Sequence, residues 1–200
     1  MDDFNSFLPD NAEGEPNHII KVIGVGGAGG NAVKHMCEIG IEGVNFIVAN
    51  TDLQALRNNP AKQKIQIGKK LTDGLGAGSK PESGKEAALE DIDEIRQALE
   101  GAKMVFITAG MGGGTGTGAS PVIAQAAKEM GILTIGVVSI PYEDEGDPKI
   151  MAAIQGIQEL NKCVDSIIVI NSNRLTELYG DLPLRKALSN ADDVDRKSVV

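Results

Sequence analysis

Apolar residues in this chain follow two rhythms that take turns. Short unbroken runs read as buried strands: Ile19 to Val25 (IIKVIGV), Val44 to Asn50 (VNFIVAN), Lys103 to Ala109 (KMVFITA), Ile132 to Ile140 and Ser166 to Asn171, with Lys64 to Ile67 as a shorter one. Between them the apolar positions spread to helical spacing. Asn31 to Ile39, Leu53 to Arg57, Ser83 to Glu100, a segment ending near Met130, and Ile150 to Leu160 are the predicted helices. In the third, Ala88, Ile92, Ile95 and Leu99 make one stripe; in the last, Ile150, Ile154 and Ile157 share a face. Strands alternating with helices predict an α/β fold, a Rossmann-like, doubly wound, mostly parallel sheet with helices on both faces. Ligands on such sheets bind at the carboxyl ends of the strands. Every glycine-rich or polar loop singled out below follows a strand, so these loops are expected on one rim.

Composition agrees with that pattern. Hydrophobic residues make up 42% of the 200, with no tryptophan, four phenylalanines and two tyrosines, so the core is aliphatic. The 25 glycines concentrate the interest in loops. A net charge of −9 argues against nucleic acid as a partner, although backbone N–H groups can hold a single nucleotide without a basic surface. Cys37 and Cys163 read as separate buried thiols. No apolar stretch approaches the roughly 20 residues of a membrane helix, and no signal peptide is evident, which places the chain in the cytoplasm without direct membrane insertion. Met1 to about His18 is polar, acidic and holds proline and glycine; residues 1–17 are expected to be a disordered tail, ahead of one domain over 18–200.

Two loops carry the chemistry. The first is Gly24-Val25-Gly26-Gly27-Ala28-Gly29-Gly30-Asn31, between a strand and a helix. Its spacing satisfies G-x-G-x-x-G, and a helix N-terminus behind it offers free N–H groups to a phosphate. Asp52, after the second strand, stands near the place of a ribose-binding acid, so a NAD(P)-binding Rossmann enzyme fits this loop taken alone. The second loop, Gly110 to Gly118, holds six glycines in nine residues and leads to Ser120-Pro121, read as the N-cap and first turn of the next helix. Two cradles on one rim, with two threonine hydroxyls, suit a triphosphate better than a pyrophosphate. No Walker A loop is present.

Gly112 to Gly118 (GGGTGTG), Lys21 to Val33 (KVIGVGGAGGNAV), Asn50-Thr51-Asp52, Gly74 to Gly78 (GLGAG) and the segment MVFITAGMGGGTGTG with PVIAQAAKE resemble the tubulin/FtsZ GTPase family, in its bacterial FtsZ branch, over about Ile19 to Asp193. The resemblance implies GTP or GDP with Mg²⁺ as the ligand and hydrolysis of GTP to GDP and phosphate. It also implies self-association into filaments that build the cell-division ring, at the division site and alongside other division proteins. Carried over by position, Gly27, Ala28, Gly29, Gly30 and Asn31 would line the phosphates and nearby sugar. Gly114, Thr115 and Gly116 would wrap the β- and γ-phosphates, and Glu145 would hold the ribose. Lys149 stands where an arginine normally reaches the nucleotide, and Asp192 would accept from the guanine N–H groups. Asp52 would approach the γ-phosphate and metal; as a residue it reads equally as the N-cap of the segment after it.

Departures from the family pattern shape what is expected of this chain. The family's F-x-F-E-G-x-x-R is here Tyr142-Glu143-Asp144-Glu145-Gly146-Asp147-Pro148-Lys149, an acidic loop read as solvated, with a point-charge lysine for a planar arginine. Leu188 replaces the phenylalanine that stacks on the base, at a cost of about 0.5–1.5 kcal/mol. Asp195 stands where a core leucine is expected. The chain is expected to end early in the family's central helix, without the acidic loop that reaches the next subunit's nucleotide or the C-terminal domain, so no catalytic residue is assigned within it. Weak GTP binding without hydrolysis is the expectation. The alternatives are an inactive interaction fragment that caps filaments and, more remotely, the NAD(P) enzyme, which leaves GGGTGTG unexplained.

Overall fold

The computed structural model describes residues 19–173. Six strands form a sheet: β1 (Ile20–Val25), β2 (Asn45–Asn50), β3 (Gln63–Gln66), β4 (Met104–Gly110), β5 (Leu133–Ile140) and β6 (Ser166–Asn171). Their order is β3-β2-β1-β4-β5-β6, and every neighbouring pair is parallel. The order reverses between β1 and β4, which makes that junction the switch point where an open α/β sheet splits its loops apart. Seven helices connect the strands among the described residues: α1 (Gly26–Ile39), α2 (Leu53–Arg57), α3 (Lys69–Thr72), α4 (Pro81–Glu90), α5 (Ile92–Leu99), α6 (Thr115–Glu129) and α7 (Asp147–Asn161).

The two-residue period of the strands sorts side chains into two cores. Val22, Val48, Phe106, Val137 and Ile170 pack with Ala32, Val33 and Met36 of α1 and Leu56 of α2. Ile23, Ile47, Ile107 and Val138 face the other way, onto Ile95, Leu99, Ile123 and Leu160 of α5, α6 and α7. Each such Val, Ile, Leu, Met or Phe side chain contributes about 1.5–3 kcal/mol by leaving water. At the start of β1 the buried Lys21 donates to the carbonyls of Ala98 (2.8 Å) and Glu100 (2.7 Å), closing the C-terminal end of α5. Burial pulls its pKa below the usual lysine value, with Glu100 opposing that. Cys37 and Cys163 are free, half-buried thiols whose pKa burial raises. No helix among the described residues is long and apolar enough to cross a membrane.

Four sequence expectations need correction. Helix α1 starts at Gly26, not Asn31, so the first glycine loop is itself the opening of the helix. Gly26 takes φ +72° there, and a Cβ on Gly29 would collide with the Thr108 carbonyl oxygen of β4. Glycine costs a helix about 1 kcal/mol per residue, but close approach of helix to sheet demands it.

Helix α6 likewise starts at Thr115, which leaves Ser120 and Pro121 in its interior rather than at its N-terminus. Ser120 Oγ donates back to the Gly116 carbonyl at 2.6 Å. The predicted helix Ser83 to Glu100 is two helices, broken at Asp91 (φ −111°, ψ 29°), whose carboxylate turns away to accept the Gly68 N–H at 2.7 Å. On α7 the buried face is Ala153, Gly156 and Leu160, and Ile154 is exposed. A Cβ on Gly156 would strike the Thr117 methyl, so small residues decide how that helix sits.

Candidate functional site

A cleft of about 470 Å³ opens at the carboxyl ends of β1, β4, β5 and β6. Gly27, Ala28 and Asn31 of α1 line it from one side, and Gly110 to Gly116 line its floor. Ser139, Ile140, Pro141, Tyr142, Glu145 and Lys149 form the opposite wall, with Ser79, Ile170 and Ser172 at the margins. All the strands behind these residues point the same way, so the loops reach one rim as the strand pattern required.

Neither α1 nor α6 has a side chain capping its first turn. The first N–H groups of a helix have no partner within it and carry the positive end of its dipole. Two such ends therefore converge on the cleft. They also touch: a Cβ on Gly26 would lie 2.9 Å from the Gly116 nitrogen.

The glycines of these loops divide into two kinds. A Cβ on Gly110 would press on the Ala28 methyl, on Gly114 it would meet the Lys80 backbone at 2.9 Å, and on Gly118 it would overlap the Pro81 carbonyl. Those glycines let α1, α4 and α6 crowd together. Gly27 and Gly113 are different. Neither is at positive φ, nothing lies within 4 Å of where their Cβ would be, and both face the cleft. The fold makes no demand for glycine at either place; a ligand lying against the backbone would.

The threonine hydroxyls are committed. Thr117 Oγ1 accepts the Gly112 N–H at 2.9 Å and lies under the loop, not on the cleft as expected. Thr115 lines the cleft and shares a 2.7 Å hydrogen bond with the buried Thr51.

On the opposite wall Glu145 Oε2 accepts from Lys149 Nζ at 2.9 Å, and Glu145 Oε1 accepts the Tyr142 N–H at 2.9 Å. The Lys149 bond first and the Tyr142 N–H second hold the Glu145 carboxyl below the ordinary glutamate range. The side chains stay 48% and 35% exposed for Lys149 and Glu145. These two are the acid and base of the cleft wall, and they neutralise each other.

Of the sequence-predicted site residues, Gly27, Ala28, Asn31, Gly114, Thr115, Gly116, Glu145 and Lys149 come together on the cleft. Gly29 and Gly30 are buried beneath it, against Thr108 and near Val48 and Asn59. Asp52 lies off the cleft lining and caps α2, its Oδ1 accepting from Gln54 N (2.8 Å) and Ala55 N (3.0 Å). Asp192, Leu188 and Asp195 lie outside the described residues. Ser139, Tyr142 and Ser79 join the lining without having been singled out for it. Ser79 follows Gly78 at φ +59°, a turn that Gly74 to Gly78 foreshadows but does not specify. Among the described residues no group of three or more His, Cys, Asp or Glu side chains could hold a metal ion.

The model of the tubulin/FtsZ family GTPase domain matches residues 19–180, which include every element of this site. The chain belongs to the tubulin/FtsZ family. Within it, the cell division protein FtsZ of Pseudomonas aeruginosa is 56% identical over 177 residues, covering 88% of this chain and 45% of that protein. FtsZ of Pseudomonas putida is 54% identical over 188 residues, 94% of this chain and 47% of the relative. The chain thus spans about half the length of these FtsZ relatives. Among solved structures, an empty FtsZ dimer of M. jannaschii superposes with a TM-score of 0.84 at 45% identity, over 88% of this chain and 51% of the other. The parallel six-stranded sheet with helices is the GTPase fold of the family.

Proposed function

We propose that this chain is the nucleotide-binding part of an FtsZ-type GTPase and that GTP and GDP occupy the cleft between α1, α6 and the β5–α7 connection. The observation that carries the reading is the pair Gly27 and Gly113, side-chain-free without any packing reason, each beside an uncapped helix N-terminus. Helix N-termini bind phosphate through backbone N–H groups, and two of them provide for a chain of phosphates. A nucleotide of this size also matches a cleft of about 470 Å³.

The roles then divide along the cleft. Gly27, Ala28 and Asn31 meet the phosphates and the near side of the sugar. Gly113 to Gly116 wrap the terminal phosphates. Glu145 takes the ribose and Lys149 the nucleotide's flank, each after loosening its grip on the other. Asp192 reads the guanine edge as an acceptor-only group. Mg²⁺, which neutralises phosphate charge, would be held through the phosphate oxygens, since among the described residues the cleft provides a single, already paired carboxylate.

The same pairing bears on turnover. Glu145 is the one carboxylate lining the cleft among the described residues, and both its oxygens are engaged. The 200-residue chain therefore binds GTP without hydrolysing it at any useful rate by itself. Affinity is reduced by a lysine that makes one point contact where an arginine makes a planar pair. In the whole protein the reading is GTP-driven self-assembly in the cytoplasm at the division site.

Calorimetric titration of the purified chain with GTP, ATP and NAD in Mg²⁺ buffer tests this. GTP binding in preference to ATP, with no phosphate release, is expected. Binding of NAD instead, or of no nucleotide, would overturn the reading.

A further inference from the structure

Thr51 is not among the residues that line the cleft, yet it touches one that does. It sits between β2 and α2, fully buried. Its Oγ1 lies 2.7 Å from Oγ1 of Thr115, the first residue of α6, which is 9% exposed and lines the cleft. Either hydroxyl could donate across that gap, and the surroundings decide which. A threonine hydroxyl brings one proton and two lone pairs. Among the described residues the Thr51 hydroxyl has no partner besides Thr115. The Thr51 carbonyl accepts from Thr72 Oγ1 at 3.4 Å, but that leaves the Thr51 hydroxyl proton unplaced. A buried proton without an acceptor is costly, whereas a proton facing an open cleft finds water or ligand.

We propose that Thr51 is a positioning residue: it donates to Thr115, and by occupying a lone pair there it turns the Thr115 proton into the cleft, toward a bound anion. The inference rests on the nucleotide reading above. It makes Thr115 a donor to a phosphate oxygen rather than an acceptor facing another acceptor. A hydroxyl donating to a charged oxygen forms one of the stronger kinds of hydrogen bond. The device is local and needs no motion, because β2 and the start of α6 are both packed into the sheet core. The pattern Asn50-Thr51-Asp52 draws attention to Asp52, but the structure gives Asp52 to capping α2 and ties Thr51 to the Thr115 hydroxyl.

Two measurements on the full chain separate this from a simple tie between two loops. The first is thermal melting without nucleotide. Thr115→Val strands the Thr51 proton in the core and should lower Tm by roughly 3–6 °C. Thr51→Val leaves Thr115 free to turn to the cleft and should cost clearly less, and the double variant should recover part of the Thr115→Val loss. Equal losses for the two single variants would overturn the assigned direction. The second is GTP titration. Thr51→Val should weaken binding roughly three- to tenfold, Thr51→Ser should bind as the unmodified chain does, and Thr51→Val should add nothing in a Thr115→Val background. Unchanged affinity in Thr51→Val would overturn the positioning role alone. Absence of GTP binding by the unmodified chain would overturn the nucleotide reading and this role with it.

Discussion

The wall of the cleft formed by Gly27, Ala28 and Gly113 to Gly116 offers backbone; the wall formed by Tyr142, Glu145 and Lys149 offers side chains. On the first, position is set by collisions that glycine alone avoids, such as Gly118 under the Pro81 carbonyl and Gly26 against Gly116. On the second, position is set by an ion pair whose members remain 48% and 35% exposed. Most of the backbone wall has almost no freedom to vary, because a carbon added at Gly26, Gly114, Gly116 or Gly118 meets another main chain; Gly27 and Gly113 are the exceptions. A side-chain wall can change its residues and keep its shape. The departures from the family pattern among the described residues fit that division: Lys149 lies on the side-chain wall and Asp144 in the turn Glu143–Glu145 that carries Glu145, while the glycine wall keeps the full GGGTGTG run.

Substitutions on the glycine wall should separate its two kinds of glycine, and the effect is largest where main chains touch. Gly118→Ala overlaps the Pro81 carbonyl and should destabilise the chain by about 3 kcal/mol or more, read as a lower Tm in thermal melting. Gly113→Val and Gly27→Val place a Cβ where nothing lies within 4 Å. They should melt within a few degrees of the unmodified chain yet bind GTP roughly 100-fold more weakly, a loss of about 2.7 kcal/mol. A large drop in their Tm would mean that packing, not a ligand, demands glycine there.

Smaller effects belong to the other wall. Lys149→Arg restores a planar donor pair and should tighten GTP binding by roughly two- to fivefold, whereas Lys149→Ala should loosen it by a similar factor; competition titration measures both. The weakest effect is on pH. The Glu145 carboxyl is held below its ordinary range by Lys149 and the Tyr142 N–H. Its stabilising contribution is thus complete above the unfolded glutamate pKa and lost as pH falls through the lower, folded value. An exposed pair contributes at most about 1 kcal/mol, so the acid limb of a stability curve should flatten only slightly in Glu145→Gln. A large change there would mean the ion pair, not the backbone, organises the cleft.

The alternation of apolar runs was enough to read six parallel strands and the rim on which their loops meet, because a buried strand needs a continuous apolar stretch. Both glycine loops were legible as anion sites for the same local reason, a strand followed by glycines and a helix. What escaped was set by neighbours distant in the chain. That α1 begins at Gly26 depends on Thr108 of β4, and that Pro121 lies inside α6 depends on how Gly114 and Gly118 meet α4. The break at Asp91 depends on the Gly68 N–H, 23 positions away. The Thr51 hydroxyl matters through Thr115, 64 positions away. Helix propensity and capping rules see none of these partners, so they placed the helix starts where glycine ends rather than where packing begins.

Amide NMR of the labelled chain during titration with GDP probes the cleft residue by residue. The expected result is that the largest shift changes fall on Gly27, Ala28 and Gly113 to Gly116, with smaller ones at Glu145 and Lys149. Saturating GDP that left those amides unmoved, or moved instead the groove between α4, α6 and α7 around Lys85 and Gln155, would contradict the assignment of the nucleotide to the paired helix N-termini.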